Sequence, residues 1–292
     1  MATYDLKTGS AGIRKEVIDN LVHVFAQPSY VMKEVVSVTT TGGWQNTYYQ
    51  EDPAVLTAPT GNSGSGLPRG ANFPQISTSN SEKTGWITKV GFEDNINFED
   101  ILSGNVDKQA RTVFKLTQKT VYTVDLAIKN GLTEDDSPST VNTFNIGSGY
   151  GWDRIASCAI IDDLMQAKQL IAEDNYPVTN LVCLINARDH RSMVNYLASK
   201  GAQFPQVGND MATNGYVGKL AGITIRQTET VPASFAIIVV PKVCATWKEL
   251  VPLQSDIKED PFRSTRIRVV EEGMLELTDP SAVCVIRGTR NY

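Results

Sequence analysis

The chain has 292 residues, 41% of them hydrophobic, which supports one large domain or two smaller ones and excludes disorder throughout. Its net charge of -5, with 20% charged residues and no run of Lys and Arg, gives little support to electrostatic nucleic-acid binding. The longest apolar run, Phe235 to Val240, is far too short to cross a bilayer.

The N-terminus, MATYDLKTGSAG, lacks the basic-then-apolar pattern of a signal peptide, so a cytoplasm-like environment is expected. Residues 1–30 read as an arm with one short helix, because Ile13, Val17, Leu21, Val24 and Phe25 share a face before Pro28. Val31 to Val38 turns strand-like. Residues 39–85 are then dominated by Gly, Ser, Thr, Asn and Pro, and the alternation of Trp86, Thr88, Val90 and Phe92 marks a returning strand. The segment therefore resembles two strand legs with a long, weakly apolar tip. A floppy linker is one reading. The other is an arm that orders on another subunit, with Trp44, Tyr48, Tyr49, Arg69, Phe73 and Trp86 as anchors, since aromatics carry interface energy.

From Val106 to Asn130 there is neither Pro nor Gly. Val106, Ala110, Val113, Val124 and Ala127 fall on a four-three spacing, Thr117 and Thr120 fill the gap, and Phe114, Val121 and Ile128 recur every seven residues. This predicts a helix about 35–40 Å long at 1.5 Å per residue. Asp107 and Arg111 are spaced for an ion pair, and Asn130-Gly131 is the expected stop. The many β-branched residues suggest a strand instead, but so long an uninterrupted strand is rare. The stripe Val113, Phe114, Val121, Val124 and Ile128 should pack inward, leaving Lys115, Lys119 and Lys129 outside, with Ser103-Gly104 as a hinge before the helix.

TEDDSPSTVNTFNIGSGYG reads as a polar connector, and Trp152 to Asp174 as a second amphipathic helix with Ala156, Ile160, Leu164, Ala167 and Ile171 on one face. Val178 to Ile185 is a buried strand, and Ala187 to Ala198 a helix with Met193, Val194 and Leu197 inward. Alternation of strand and helix suggests an α/β layer. Strands follow from Gly218, at Phe235 to Val240, from about Arg266 to Leu277, and at Ala282 to Ile286.

No catalytic motif emerges. GNSGSG at Gly61 to Gly66 lacks the Lys-Ser/Thr and the strand-helix context of a phosphate loop. His23 and His190 are the two histidines, and His190, beside Arg188 and Asp189, reads as a solvated helix face rather than a base. Glu134-Asp135-Asp136 and Asp162-Asp163 lack calcium-loop spacing and read as exposed turns and helix faces, while Asp256, Glu259 and Asp260 could bind a metal if they converged but are read as solvated loop charge. Cys158, Cys183, Cys244 and Cys284 sit in apolar surroundings as reduced thiols. No catalytic residue, metal ligand or cofactor is assigned.

The order of these elements resembles the major capsid proteins of tailed bacteriophages and related viruses, those with the Hong Kong 97-type fold. KQARTVFKLTQKTVYTVDLAIKNG is similar to that family's spine helix, which commonly ends in Asp-x-Ala-Ile-x-x-Gly, here Asp125 to Gly131. LVCLINARDHRSMVNYLASKG resembles its axial strand and helix, KLAGITIRQTETVP its Leu-x-Gly-x-Pro-Val segment with Thr224 in place of Pro, and TRIRVVEEGMLELTDPSAVCVIRG its long peripheral strand and return. The resemblance implies an α+β chain: N-terminal arm 1–34, extended hairpin loop 35–92, peripheral domain with spine helix 93–144, α/β axial domain 145–258, peripheral strand 259–279 and axial return 280–292.

The resemblance also implies a non-enzymatic subunit that forms pentamers and hexamers of itself in an icosahedral shell around double-stranded DNA. Such a subunit is made in a host cytoplasm, carried in the virion, and has no membrane partner. A separate scaffolding protein, or assembly without one, is implied by the lack of a long charged helical region at the N-terminus, with portal and decoration proteins as other partners; residues 57–80 contain no Lys for a lysine-asparagine cross-link. An encapsulin-like protein nanocompartment is the nearest alternative, and a hydrolase using His190 a remote one.

Overall fold

A computed structural model describes residues 15–26, 30–51, 67–72, 80–99, 106–200, 218–260 and 263–290. The chain runs α1 (Lys15–Ala26), β1 (Ser37–Thr40), β2 (Gln45–Glu51), β3 (Asn80–Trp86), β4 (Thr88–Asn97), α2 (Val106–Leu132) and β5 (Asn142–Asn145). It continues α3 (Ile160–Glu173), β6 (Val182–Ile185), α4 (Ala187–Ser199), β7 (Lys219–Leu220), β8 (Ile223–Gln227) and β9 (Phe235–Val239). It ends with β10 (Ala245–Asp260), β11 (Ser264–Leu277), a short 3-10 turn and β12 (Val283–Arg287). Three sheets result: β1-β10-β11-β4, β5-β12-β9-β6-β8-β7, and the two-stranded ribbon β2-β3.

Helix α2 has 27 residues, about 40 Å at 1.5 Å each. Its β-branched threonines fit a helix because Thr117 and Thr120, both buried, donate to the carbonyls of Val113 and Leu116 at 2.8 and 2.9 Å. Its apolar stripe enters two different cores. Val113, Leu116 and Val121 join Val22, Ile96, Leu253, Ile267 and Val269 between α1, α2 and the four-stranded sheet, whereas Val124, Ile128 and Leu132 join the larger core around the six-stranded sheet. One helix thus ties both cores together.

The helix does not stop at Asn130-Gly131 but ends at Leu132, followed by left-handed Glu134, Asp135 and Asp136 with φ of 49°, 53° and 63°. Gly131 answers to packing: a Cβ there would lie 2.5 Å from Leu275 Cδ2 on β11. The polar connector is also less loose than expected, because β5 lies inside it and pairs in parallel with β12.

Several other expectations need correction. Among the described side chains of α1, Val22 and Ala26 are buried, Leu21 and Phe25 half-buried and Val24 exposed, so the face is rotated from the one expected; Ile13 and the Val17 side chain lie outside the described residues. Val31 to Val36 forms turns that bury Met32, Val35 and Val36, and the strand begins only at Ser37. Helix α3 starts at Ile160; the preceding turn buries Trp152, whose indole donates to Asp163 at 2.8 Å, and leaves Ala156 exposed. Asp256 and Asp260 belong to the 16-residue strand β10, paired along most of its length with β11. Pro252 sits where the register shifts, which is where a strand tolerates a missing donor. The Ser103-Gly104 hinge and GNSGSG lie outside the described residues.

Candidate interaction surface

The β2-β3 ribbon pairs Gln45 with Trp86, Thr47 with Thr84 and Tyr49 with Glu82. Cross-strand partners share a face. All six of these residues are exposed, with Tyr49 62% and Trp86 67% accessible, so this face is uncovered within the subunit. Trp44, at the ribbon's base, is 57% accessible although its carbonyl accepts from Ile87 N–H at 3.0 Å. The opposite face is seated. Gly85 lies against Met274, where a Cβ would fall 2.1 Å from Cε; Gln50 is buried; and burial pushes the pKa of half-buried Tyr48 up, against a hydrogen bond from the Leu277 backbone. The N–H of Glu51 donates to Thr278 O at 2.8 Å, which fixes the direction in which the ribbon departs. Arg69 is exposed, and Phe73 lies outside the described residues.

The ribbon's N-terminal root is held by a buried polar cluster that the sequence did not single out. Lys33 pairs with Glu249 and, at 2.9 Å, with Glu271, whose other oxygen accepts from the Tyr30 hydroxyl. Beside them Asp125 of α2 accepts from Val31 N–H at 3.0 Å, and its Oδ1 has no partner. Burial raises the Asp125 pKa to about 6, with the backbone N–H groups of Val31, Met32 and Lys33 opposing and Glu271 adding to the rise. The Asp125-to-Gly131 motif thereby acquires physical roles: Asp125 caps the incoming turn, Ile128 fills the large core, and Gly131 admits Leu275.

Of the stripe residues, Val113, Val121, Val124 and Ile128 are buried, whereas Phe114 is 39% accessible and stacks edge-to-face on Phe25 of α1 at 5.2 Å. Lys129 is not on the outer face; it is buried and donates to Asp136 at 2.9 and 3.1 Å, because the left-handed turn folds that carboxylate back over it. His190 is likewise no solvated residue: α4 buries it, and burial lowers its pKa. Neighbouring Asp189 points elsewhere, accepting from Thr289 Oγ1 at 2.9 Å and Arg290 Nε at 3.3 Å, which clamps the C-terminal segment. Among the described residues no group of three or more His, Cys, Asp or Glu is placed to hold a metal, and the four cysteines are buried and free.

No protein-family model matches the sequence, and no curated protein matches it. Solved structures do. The capsid of the Cyanophage P-SCSP1u is similar with a TM-score of 0.66 at 14% identity, over 98% of this chain and 92% of that one. A phage-related protein from Bordetella bronchiseptica RB50 gives 0.65 at 11% identity, covering 96% and 98%. A virus-like particle from Pyrococcus furiosus gives 0.63 at 12% identity, covering 93% and 98%. At such identities the likeness is one of fold, and it extends over nearly the whole chain: this protein has the α+β, Hong Kong 97-type fold of phage capsid and virus-like-particle subunits.

Proposed function

We infer that the protein is a structural shell subunit, not an enzyme, that assembles with copies of itself as pentamers and hexamers into an icosahedral phage capsid around double-stranded DNA. The observation that carries this is the β2-β3 ribbon: a seated base and an uncovered face bearing Tyr49 and Trp86, with Trp44 at its root. A two-stranded ribbon is marginal alone, so an aromatic face of this kind is stabilised by a partner. A second copy is the partner that closed symmetry supplies. In this reading the hairpin loop 35–92 reaches to a neighbour, α2 is the strut of the peripheral domain together with β10 and β11, and the six-stranded sheet is the axial domain. Scaffolding, portal and decoration proteins complete the particle, which is built in the host cytoplasm.

The likeness to a virus-like particle from Pyrococcus furiosus favours a second reading, a protein nanocompartment without a genome. Deleting residues 57–80 tests assembly through the arm: the expected product is a folded subunit that forms no regular shells in negative-stain images. Regular shells from the deletion would remove the arm from the account. Nuclease-protected DNA in particles from the native host separates capsid from compartment.

A further inference from the structure

Helix α2 carries a basic row on its outer side. Arg111, Lys115 and Lys119 are all exposed and recur every four residues, forming one row about 12 Å long at 1.5 Å per residue. Exposed Phe114 and Tyr122 flank the row, and Lys119 Nζ stands 5.2 Å from the Tyr122 ring and 5.9 Å from that of Phe92. None of the three cations has a carboxylate partner among the described residues. Other basic side chains do: Arg266 and Arg268 share Glu93, Arg290 meets Asp189, and Lys129 meets Asp136. The acid on the strand packed beside the row is Asp94 of β4, exposed, with Oδ1 accepting from Asn95 N–H at 2.8 Å; Asp125 is buried at the far end. Among the described side chains the row therefore keeps a net positive charge; Asp107, four residues before Arg111, is spaced to offset one of the three.

We propose that this face of α2 is a sequence-independent contact for the phosphate backbone of double-helical DNA; the proposal rests on the reading of the protein as a DNA container. Spacing and complementarity favour this occupant. DNA presents one phosphate per about 3.4 Å of axis on each strand, so a 12 Å row faces roughly three to four of them. On a second copy, the longest acidic run is largely engaged within its own subunit. In the Glu134-Asp135-Asp136 run, Glu134 accepts from Ser139 and Thr140 and Asp136 from Lys129 and Thr133. Three contacts per subunit bind weakly. Repeated over a shell they hold DNA by avidity while each contact exchanges freely.

The test uses the full-length unassembled subunit and a fluorescent duplex of about 20 base pairs of arbitrary sequence, with anisotropy read between about 20 and 200 mM salt. Binding should weaken with a log-log salt slope near about -2.7, about -0.9 per phosphate. The triple substitution Arg111→Gln, Lys115→Gln, Lys119→Gln should cut affinity at low salt by about tenfold or more and flatten the slope; Arg111→Gln with Lys115→Gln, which spares the Lys119 ring contacts, should remove about two-thirds of it. The same variants should still form shells. Undetectable duplex binding by the wild type means a solvated face and overturns the proposal, as does an unchanged slope in the variants. Oligoglutamate competing as well as DNA would assign the face to an acidic protein instead. Failure of wild-type subunits to form shells would count against the container reading, independently of the slopes.

Discussion

Replacing Asp125 with Asn isolates the electrostatics of the buried cluster that roots the arm. The side chain is 2% accessible, and its pKa rises from an ordinary 3.8 to about 6, chiefly through burial. A folded state with a raised carboxylate pKa binds more protons than the unfolded chain between about pH 4 and pH 6, so stability falls as pH rises through that window. At 1.36 kcal/mol per pH unit, the rise corresponds to a loss of about 3 kcal/mol by pH 7. Asn keeps the oxygen that accepts from Val31 N–H and cannot ionise. Asp189, whose pKa burial also raises to about 6, and the pairs among Tyr30, Lys33, Glu249 and Glu271 are present in both proteins and largely cancel in the comparison. Urea unfolding of the unassembled subunit at pH 4, 5, 6 and 7 should show the wild type losing about 2.5 kcal/mol relative to Asp125→Asn from the lowest to the highest pH, the rest of the loss lying below pH 4. A difference constant to within about 0.5 kcal/mol would mean that Asp125 titrates normally, and the cluster's role as a charge-strained anchor would be refuted.

Two further substitutions probe the packing. Val113→Asp places an unpaired carboxylate where accessibility is 0%, and should cost about 3 kcal/mol or more; a wild-type urea midpoint would show the α2 stripe misassigned. Gly273→Ala sets a methyl 2.5 Å from Trp247 Cζ2 and 2.8 Å from the Lys248 carbonyl, a backbone atom that cannot retreat, whereas Gly131→Ala meets only the movable side chain of Leu275. Gly273→Ala should therefore cost about 2–3 kcal/mol and clearly more than Gly131→Ala; thermal midpoints in the reverse order would contradict the packing of β11.

Local rules carried far along the chain wherever pattern and burial coincide. The three-four spacing in α2, the continuous apolar run that became β6, and the alternation of Ile267 and Val269 in β11 all follow from periodicity, because each element buries one face on a neighbour. Where backbone demands arise from distant partners, the sequence was mute. The polar stretch Ser255 to Asp260 is a strand because β11 lies alongside it, and a bulge accommodates Pro252. Gly131 resembled a stop signal but serves close approach to Leu275, and the three left-handed residues that end α2 have no local signature.

The sequence by itself determined the long helix, the aromatic legs of the ribbon and the reduced thiols, since these rest on side-chain type and spacing, while the α+β class came from the family resemblance of the element order. Tertiary structure alone decided the burial of Lys129, His190, Asp125, Glu249 and Glu271, whereas the outward placement of Lys115 and Lys119 followed from helical spacing. The reason is physical: a charge is buried or exposed according to what folds over it, and pairing across more than a hundred residues, as between Lys33 and Glu271, leaves no trace in linear order.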